Sequence, residues 1–115
     1  MKQGDIWLIN LDPTIGAEIR KNRPGIIVNY DLVGRLPLKV IVPLTTWKKE
    51  HDLAPWMVKM MPNKQNNIVR VSTADCFQVR SVSDERFIEK IGAVNFKIME
   101  LINEALANVF YISSS

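Results

Sequence analysis

From Gly4 to Val82 the chain is cut into short apolar runs, none longer than nine residues. Each is closed within a few positions by proline, glycine, asparagine or aspartate. Helical signals come only afterwards. This order predicts five or six short strands followed by helices, hence a mainly β fold: a small, strongly bent sheet or barrel with a C-terminal helix against it. At 115 residues the chain suits one domain spanning 1–115, and no internal repeat or linker divides it.

"GDIWLINLD" (4–12) reads as a strand apolar on both faces, broken by Pro13 and Gly16. A charged loop leads to "IIVNY" (26–30), a second strand, and "DLVGRLP" (31–37) to a turn. "LKVIVPLTT" (38–46) is a third strand, with Pro43 marking an edge or a bulge. After a polar loop at 47–52 come "PWMVKMM" (55–61), the turn cluster "PNKQNN" (62–67), and two further strands, "IVRVS" (68–72) and "CFQVRSV" (76–82). Ser83, followed by Asp84 and Glu85, predicts a helix ending near Gly92. Asn95 predicts the next, with Ile98, Leu101, Ile102, Ala105, Leu106 and Val109 on one face. Trp7 and Trp56 are assigned to the core or a dimer interface.

The net charge of +3 decides little, but its distribution is uneven. Arg20, Lys21, Arg23, Lys48 and Lys49 occupy two segments before residue 50, a footprint suited to an anionic partner or to a merely solvated face. No apolar stretch suits a signal peptide or a membrane span, and the single Cys76 cannot form an internal disulfide, so the expected compartment is the cytoplasm. Burial within an apolar strand would silence Cys76 as a nucleophile. One histidine and one cysteine give no metal-ligand pattern, so no metal or cofactor is expected; His51 reads as a solvated loop residue.

What remains is arginine, glutamate and threonine. An arginine offers a fixed fork of donors matched to phosphate oxygens, and Arg23 is stiffened by Pro24. Arg20 and Lys21 read as mobile, for phosphate steering or solubility. Thr45 and Thr46 end the third strand, either facing the same ligand or satisfied locally. From the residues alone the chain is an anion or nucleic-acid binder.

"GDIWLINLDPTIGAEIRKNRPGIIV" (4–28), "VPLTT" (42–46) and "CFQVRSVSDERF" (76–87) together resemble the opening, second and third blocks of the MazF/PemK (Kid) family of toxins. That resemblance implies an SH3-like β-barrel with a C-terminal helix, a homodimer, and a cognate antitoxin as partner. It implies metal-independent cleavage of single-stranded RNA by the substrate's own 2′-hydroxyl, leaving 2′,3′-cyclic phosphate and 5′-hydroxyl ends. By position Arg23 and Thr45 match catalytic residues, and Glu18 matches an acid that would act as base or orient Arg23. Gln78 and Arg80 fall in the third block as RNA contacts, while Trp47, Lys48 and Lys49 fill a loop bordering the RNA groove, alongside Arg20, Lys21 and Thr46. The chain departs from the pattern at Ala17 and at Phe77, where some relatives carry an acid; Asp75, two residues earlier and so on the same side of a regular strand, would replace it. Two other readings compete: a CcdB-like toxin acting on a protein such as DNA gyrase, and a plain SH3-like binding module.

Overall fold

The third strand keeps the bounds read from the sequence, but it serves two sheets. The computed structural model describes residues 1–33 and 36–113, so the expected turn at 31–37 lies partly outside it. Seven strands are present: β1 (Asp5–Asn10), β2 (Asn22–Ile27), β3 (Leu38–Thr46), β4 (Met57–Met60), β5 (Ser72–Asp75), β6 (Arg80–Ser83) and β7 (Phe87–Ala93). One helix follows, α1 (Phe96–Phe110). All pairings are antiparallel, in the order β4-β5-β3-β2-β1-β7. On one edge β3 pairs with β6 over Leu38–Ile41 and then with β5 over Leu44–Thr46. Pro43 falls in the gap between those partners, where a missing N–H disturbs neither ladder. Among the described strands β4 and β7 are the two ends, so the sheet is strongly bent but not closed.

Alternation along β2 and β3 feeds two cores. Ile26, Val42 and Leu44 join one, which α1 covers with Ile102 and Ala105; Ile27 and Ile41 join the other with Ile9, Leu11 and Val82. β1 contributes Ile6 to the first and Ile9 to the second, and register shifts against β7 between Ile6/Trp7 and Leu8/Ile9 permit that odd spacing. A strand apolar on both faces is thus what a sheet with a core on each side requires, each fully buried isoleucine contributing roughly 1.5–3 kcal/mol. The Trp7 ring meets Phe87 edge-on at 5.8 Å beside the second core.

Four expectations change. The second strand begins at Asn22, so Arg23 and Pro24 lie inside β2 rather than before it. The strands expected at 68–72 and 76–82 become β5 and β6, separated by a 3-10 turn, Cys76–Gln78. Asp75 therefore does not share a side with Phe77: its carboxylate is buried and accepts the Phe77 N–H, while the Phe77 ring is exposed. The helix expected from Ser83 stops after one 3-10 turn, Asp84–Arg86, although Ser83 Oγ does accept the Glu85 N–H. The local cap is overridden because Phe87–Ala93 instead pairs with β1 and buries part of Phe87 and Ile91. The final helix follows the sequence: Asn95 Oδ1 accepts the Ile98 N–H at 2.8 Å, and Tyr111 closes it in the left-handed conformation.

Candidate functional site

The β2–β3 ladder ends at the pair Gly25–Pro43, beyond which β3 turns toward β5. Continuing that register would set Arg23 opposite Thr45; because the strands diverge there, the two line an open cleft instead, with a cavity of about 430 Å³. Gly25 gives the branch room, since a Cβ there would lie 2.7 Å from Ile9 Cδ1 and push that side chain aside in the second core. Arg23 is half-buried and its Nε donates to the Arg20 carbonyl at 3.2 Å. Neither ion pair found among the described residues, Lys39–Asp84 or Lys90–Asp5, involves it. Arg23 lines the cleft with no carboxylate paired to its guanidinium among the described residues, the condition for holding an external anion.

Thr46 lines the same cleft, and so do three residues that the sequence reading missed, Asn67, Arg70 and Glu89. Their wall is fixed. Asn66, buried, accepts from the N–H groups of Asn63 and Ile68 and donates to the Met61 carbonyl. Asn67 Nδ2 donates to the Ile91 carbonyl at 3.0 Å, and Ser72 Oγ to the Arg70 carbonyl at 2.9 Å. This turn lies so close to β7 that a Cβ on Gly92 would sit 2.5 Å from the Gln65 carbonyl oxygen. The asparagine-rich turn was legible in the sequence; its docking beside the "RP" strand end was not.

Glu18, Gln78 and Arg80 gather in a second cleft of about 500 Å³, which Phe77 also lines. No hydrogen bond or ion pair joins Glu18 to Arg23 among the described residues; Glu18 Oε1 accepts the Ile15 N–H at 2.6 Å. Gln78 Oε1 accepts the Ile19 N–H at 2.6 Å, and its Nε2 donates to the Ala17 carbonyl and to Asp75 Oδ2. It is therefore the clasp of the 17–19 loop. Arg80 and Arg86 grip the same loop's origin, donating to the carbonyls of Leu11 and of Asn10 and Asp12.

The tryptophan-lysine loop stands apart from both clefts. Trp47 is half-buried, donates from Nε1 to Asp52 Oδ1 at 3.2 Å, and carries the Lys59 ammonium 4.0 Å over its ring. It lines a third cavity, against α1, with His51 and Thr73. His51 is not the solvated residue expected. Its Nδ1 accepts the Lys48 N–H, which fixes the tautomer, and the buried Thr73 hydroxyl donates to it at 2.8 Å. Lys48, Lys49, Arg20 and Lys21 are exposed and line none of the three.

Cys76 is fully buried, and burial, then the neighbouring Asp75 charge, pushes its thiol from 9.0 up to about 12. A raised acid stabilises the fold below its unfolded value; that contribution disappears as pH climbs from about 9 to about 12. The described residues include no group of three or more His, Cys, Asp or Glu placed to hold a metal ion.

The profile of the family described as PemK-like, MazF-like toxins of type II toxin–antitoxin systems matches residues 2–110. Endoribonuclease MazF9 of Mycobacterium tuberculosis is 29% identical over 110 residues, covering 92% of each chain. Endoribonuclease EndoA of Bacillus subtilis is 26% identical, over 92% of this chain and 90% of its own. A mycobacterial endoribonuclease solved in complex with its cognate antitoxin superposes with a TM-score of 0.78 at 18% identity, covering 100% of this chain and 99% of that one.

Proposed function

The chain belongs to the PemK-like, MazF-like toxins of type II toxin–antitoxin systems, and from that premise we propose that it is an endoribonuclease cutting single-stranded RNA. The supporting observation is the first cleft, where an unneutralised guanidinium and the strand-end hydroxyls meet on a fixed wall. In this reading the substrate 2′-hydroxyl attacks the adjacent phosphorus and the P–O5′ bond breaks. The products are a 2′,3′-cyclic phosphate and a 5′-hydroxyl, with no metal taking part.

Arg23 stabilises the charge that builds on the phosphorane oxygens, a single preorganised donor being worth roughly 3–4 kcal/mol. Thr45 donates to a non-bridging oxygen. The 2′-proton needs an acceptor, and Glu89 is the one carboxylate among the residues lining that cleft, so it takes the role that the sequence had offered to Glu18. The proton reaches the departing O5′ from Arg23 or from water. The basic side chains outside the cleft, Arg20, Lys21, Lys48 and Lys49, steer RNA or receive an acidic antitoxin tail. In this reading the protein works as a homodimer in the cytoplasm.

Incubating the purified protein with single-stranded RNA in EDTA tests this. Cleavage with cyclic phosphate ends is expected, with Glu89→Gln slowed strongly and Glu18→Gln much less affected. No cleavage of any RNA, together with inhibition of gyrase, would instead favour a toxin acting on protein.

A further inference from the structure

We propose that the second cleft is a nucleobase subsite, in which one base of the RNA stacks on Phe77 while Glu18 and Arg80 take its edge. This rests on the ribonuclease reading and adds to it the determinant of sequence preference.

The Phe77 ring is 65% exposed, yet it is held in place. Its N–H is tied to Asp75 Oδ1 at 3.1 Å, and its ring meets Trp56 edge-on, with centroids 5.9 Å apart and planes at 63°. An aromatic ring already ordered and presented to solvent loses little freedom when a flat partner settles on it. The polar groups around it are of two kinds. Gln78 has spent its oxygen and its amide on the loop and on Asp75, so it shapes the wall. Glu18 uses only Oε1, and Arg80 only Nη1, in hydrogen bonds with protein, leaving a carboxylate oxygen and further guanidinium N–H groups for a ligand.

An acceptor and a donor beside an aromatic face are what an unstacked base in single-stranded RNA requires. Guanine fits them best: its N1–H and N2–H donate to a carboxylate, and its O6 and N7 accept from a guanidinium. Leu11 and Ile19 of the second core line this cleft, whereas Leu44 and Ile68 of the first core line the cleft of Arg23. The two clefts share no lining residue, so the subsite is assigned to a base other than the one attached to the attacking hydroxyl, acting on which RNA is held rather than on bond cleavage.

A randomised single-stranded RNA pool, cut by the wild-type protein and sequenced at its ends, gives the preference at each position. Phe77→Ala is expected to flatten one position, where guanine is preferred, and to lower kcat/KM on the best sequence roughly 10- to 100-fold. Phe77→Tyr should stay close to wild type, and Phe77→Leu, which keeps bulk without a ring, should resemble alanine should the alanine variant fail to fold. An abasic nucleotide at that position should cost the wild type as much as Phe77→Ala does and cost the variant nothing more. An unchanged preference profile in Phe77→Ala or Phe77→Leu overturns the subsite, as does an equal loss on all sequences. If the wild type cuts nothing, anisotropy of the labelled pool on Arg23→Ala protein separates the two ideas: Phe77-dependent base preference keeps the subsite without the nuclease, and no such preference removes it.

Discussion

Arg23 and Arg80 are both arginines anchored to a carbonyl of the same loop region, but they stand in unlike company. Around Arg23 are Thr45, Thr46, Asn67 and Arg70, with Glu89 lining the same cleft and no ion pair to Arg23 among the described residues. Around Arg80, Gln78 is saturated, Glu18 is half-committed, and an exposed ring faces outward. The first cleft keeps its charge in reserve, which suits a phosphate whose charge grows during reaction. The second spends most of its polar groups on holding its own loop, and what it leaves free has the scale of a base edge. Charge held in reserve is a catalytic arrangement; a stiff surface with a few free edges is a selective one.

The largest effect is expected from Arg23→Ala, which empties the first cleft of its guanidinium. We expect a 10²–10³-fold fall in kcat with an unchanged melting temperature and an unchanged pattern of preferred sequences. A variant that cuts at the normal rate would move catalysis out of the first cleft.

Gly92→Ala attacks the wall of the same cleft from behind. Its new Cβ would meet the backbone of Gln65 and Asn66 at 2.5–2.7 Å, and backbone cannot yield as a side-chain tip would. A loss of about 1–3 kcal/mol in urea unfolding is expected from such overpacking, with cleavage weakened because Asn67 and Arg70 shift together.

Gln78→Ala probes the second cleft. It removes the clasp on Ala17 and Ile19, which should cost about 1–2 kcal/mol and speed hydrogen exchange at the Ile19 amide. Because no hydrogen bond among the described residues joins Gln78 to Arg23, and Gln78 does not line the cleft of Arg23, single-turnover cleavage at saturating RNA should change little. A large fall there would join the two clefts into one machine.

The smallest effect concerns the loop between them. Lys21 holds φ at 70°, a left-handed conformation costing a side-chain-bearing residue on the order of 1 kcal/mol. Lys21→Gly should therefore leave stability unchanged or slightly raised by thermal melting. Its RNA affinity should fall modestly, more so at low salt, if the ammonium steers phosphate. Unaltered affinity across salt would reduce Lys21 to a loop residue.

Much of the fold was legible from residues that act locally. β3 and α1 follow from β-branched alternation and from an asparagine cap with apolar residues at helical spacing. The "RP" step and the "TT" strand end marked Arg23 and Thr45, and the register shows why they meet: each lies two residues beyond the last pair of one ladder. Misreadings cluster where a local signal and a distant partner disagree. Ser83 is a true cap, but the segment after it had β1 to pair with. Asp75 and Phe77 were read on one strand, whereas a 3-10 turn sends one side chain inward and the other out.

Side-chain alternation, caps and proline act over a few bonds, and they were enough to make this a mainly β chain with a helix after Asn95 and an arginine stiffened by the proline beside it. Which carboxylate shares the cleft of that arginine depends instead on how distant strands pair. β7 brings Glu89 there by pairing with β1, while the loop held by Gln78 carries Glu18 to the other cleft. Strand pairing is made by backbone groups that every residue possesses, so the choice of partner is written in the whole sheet and in no single stretch of the chain.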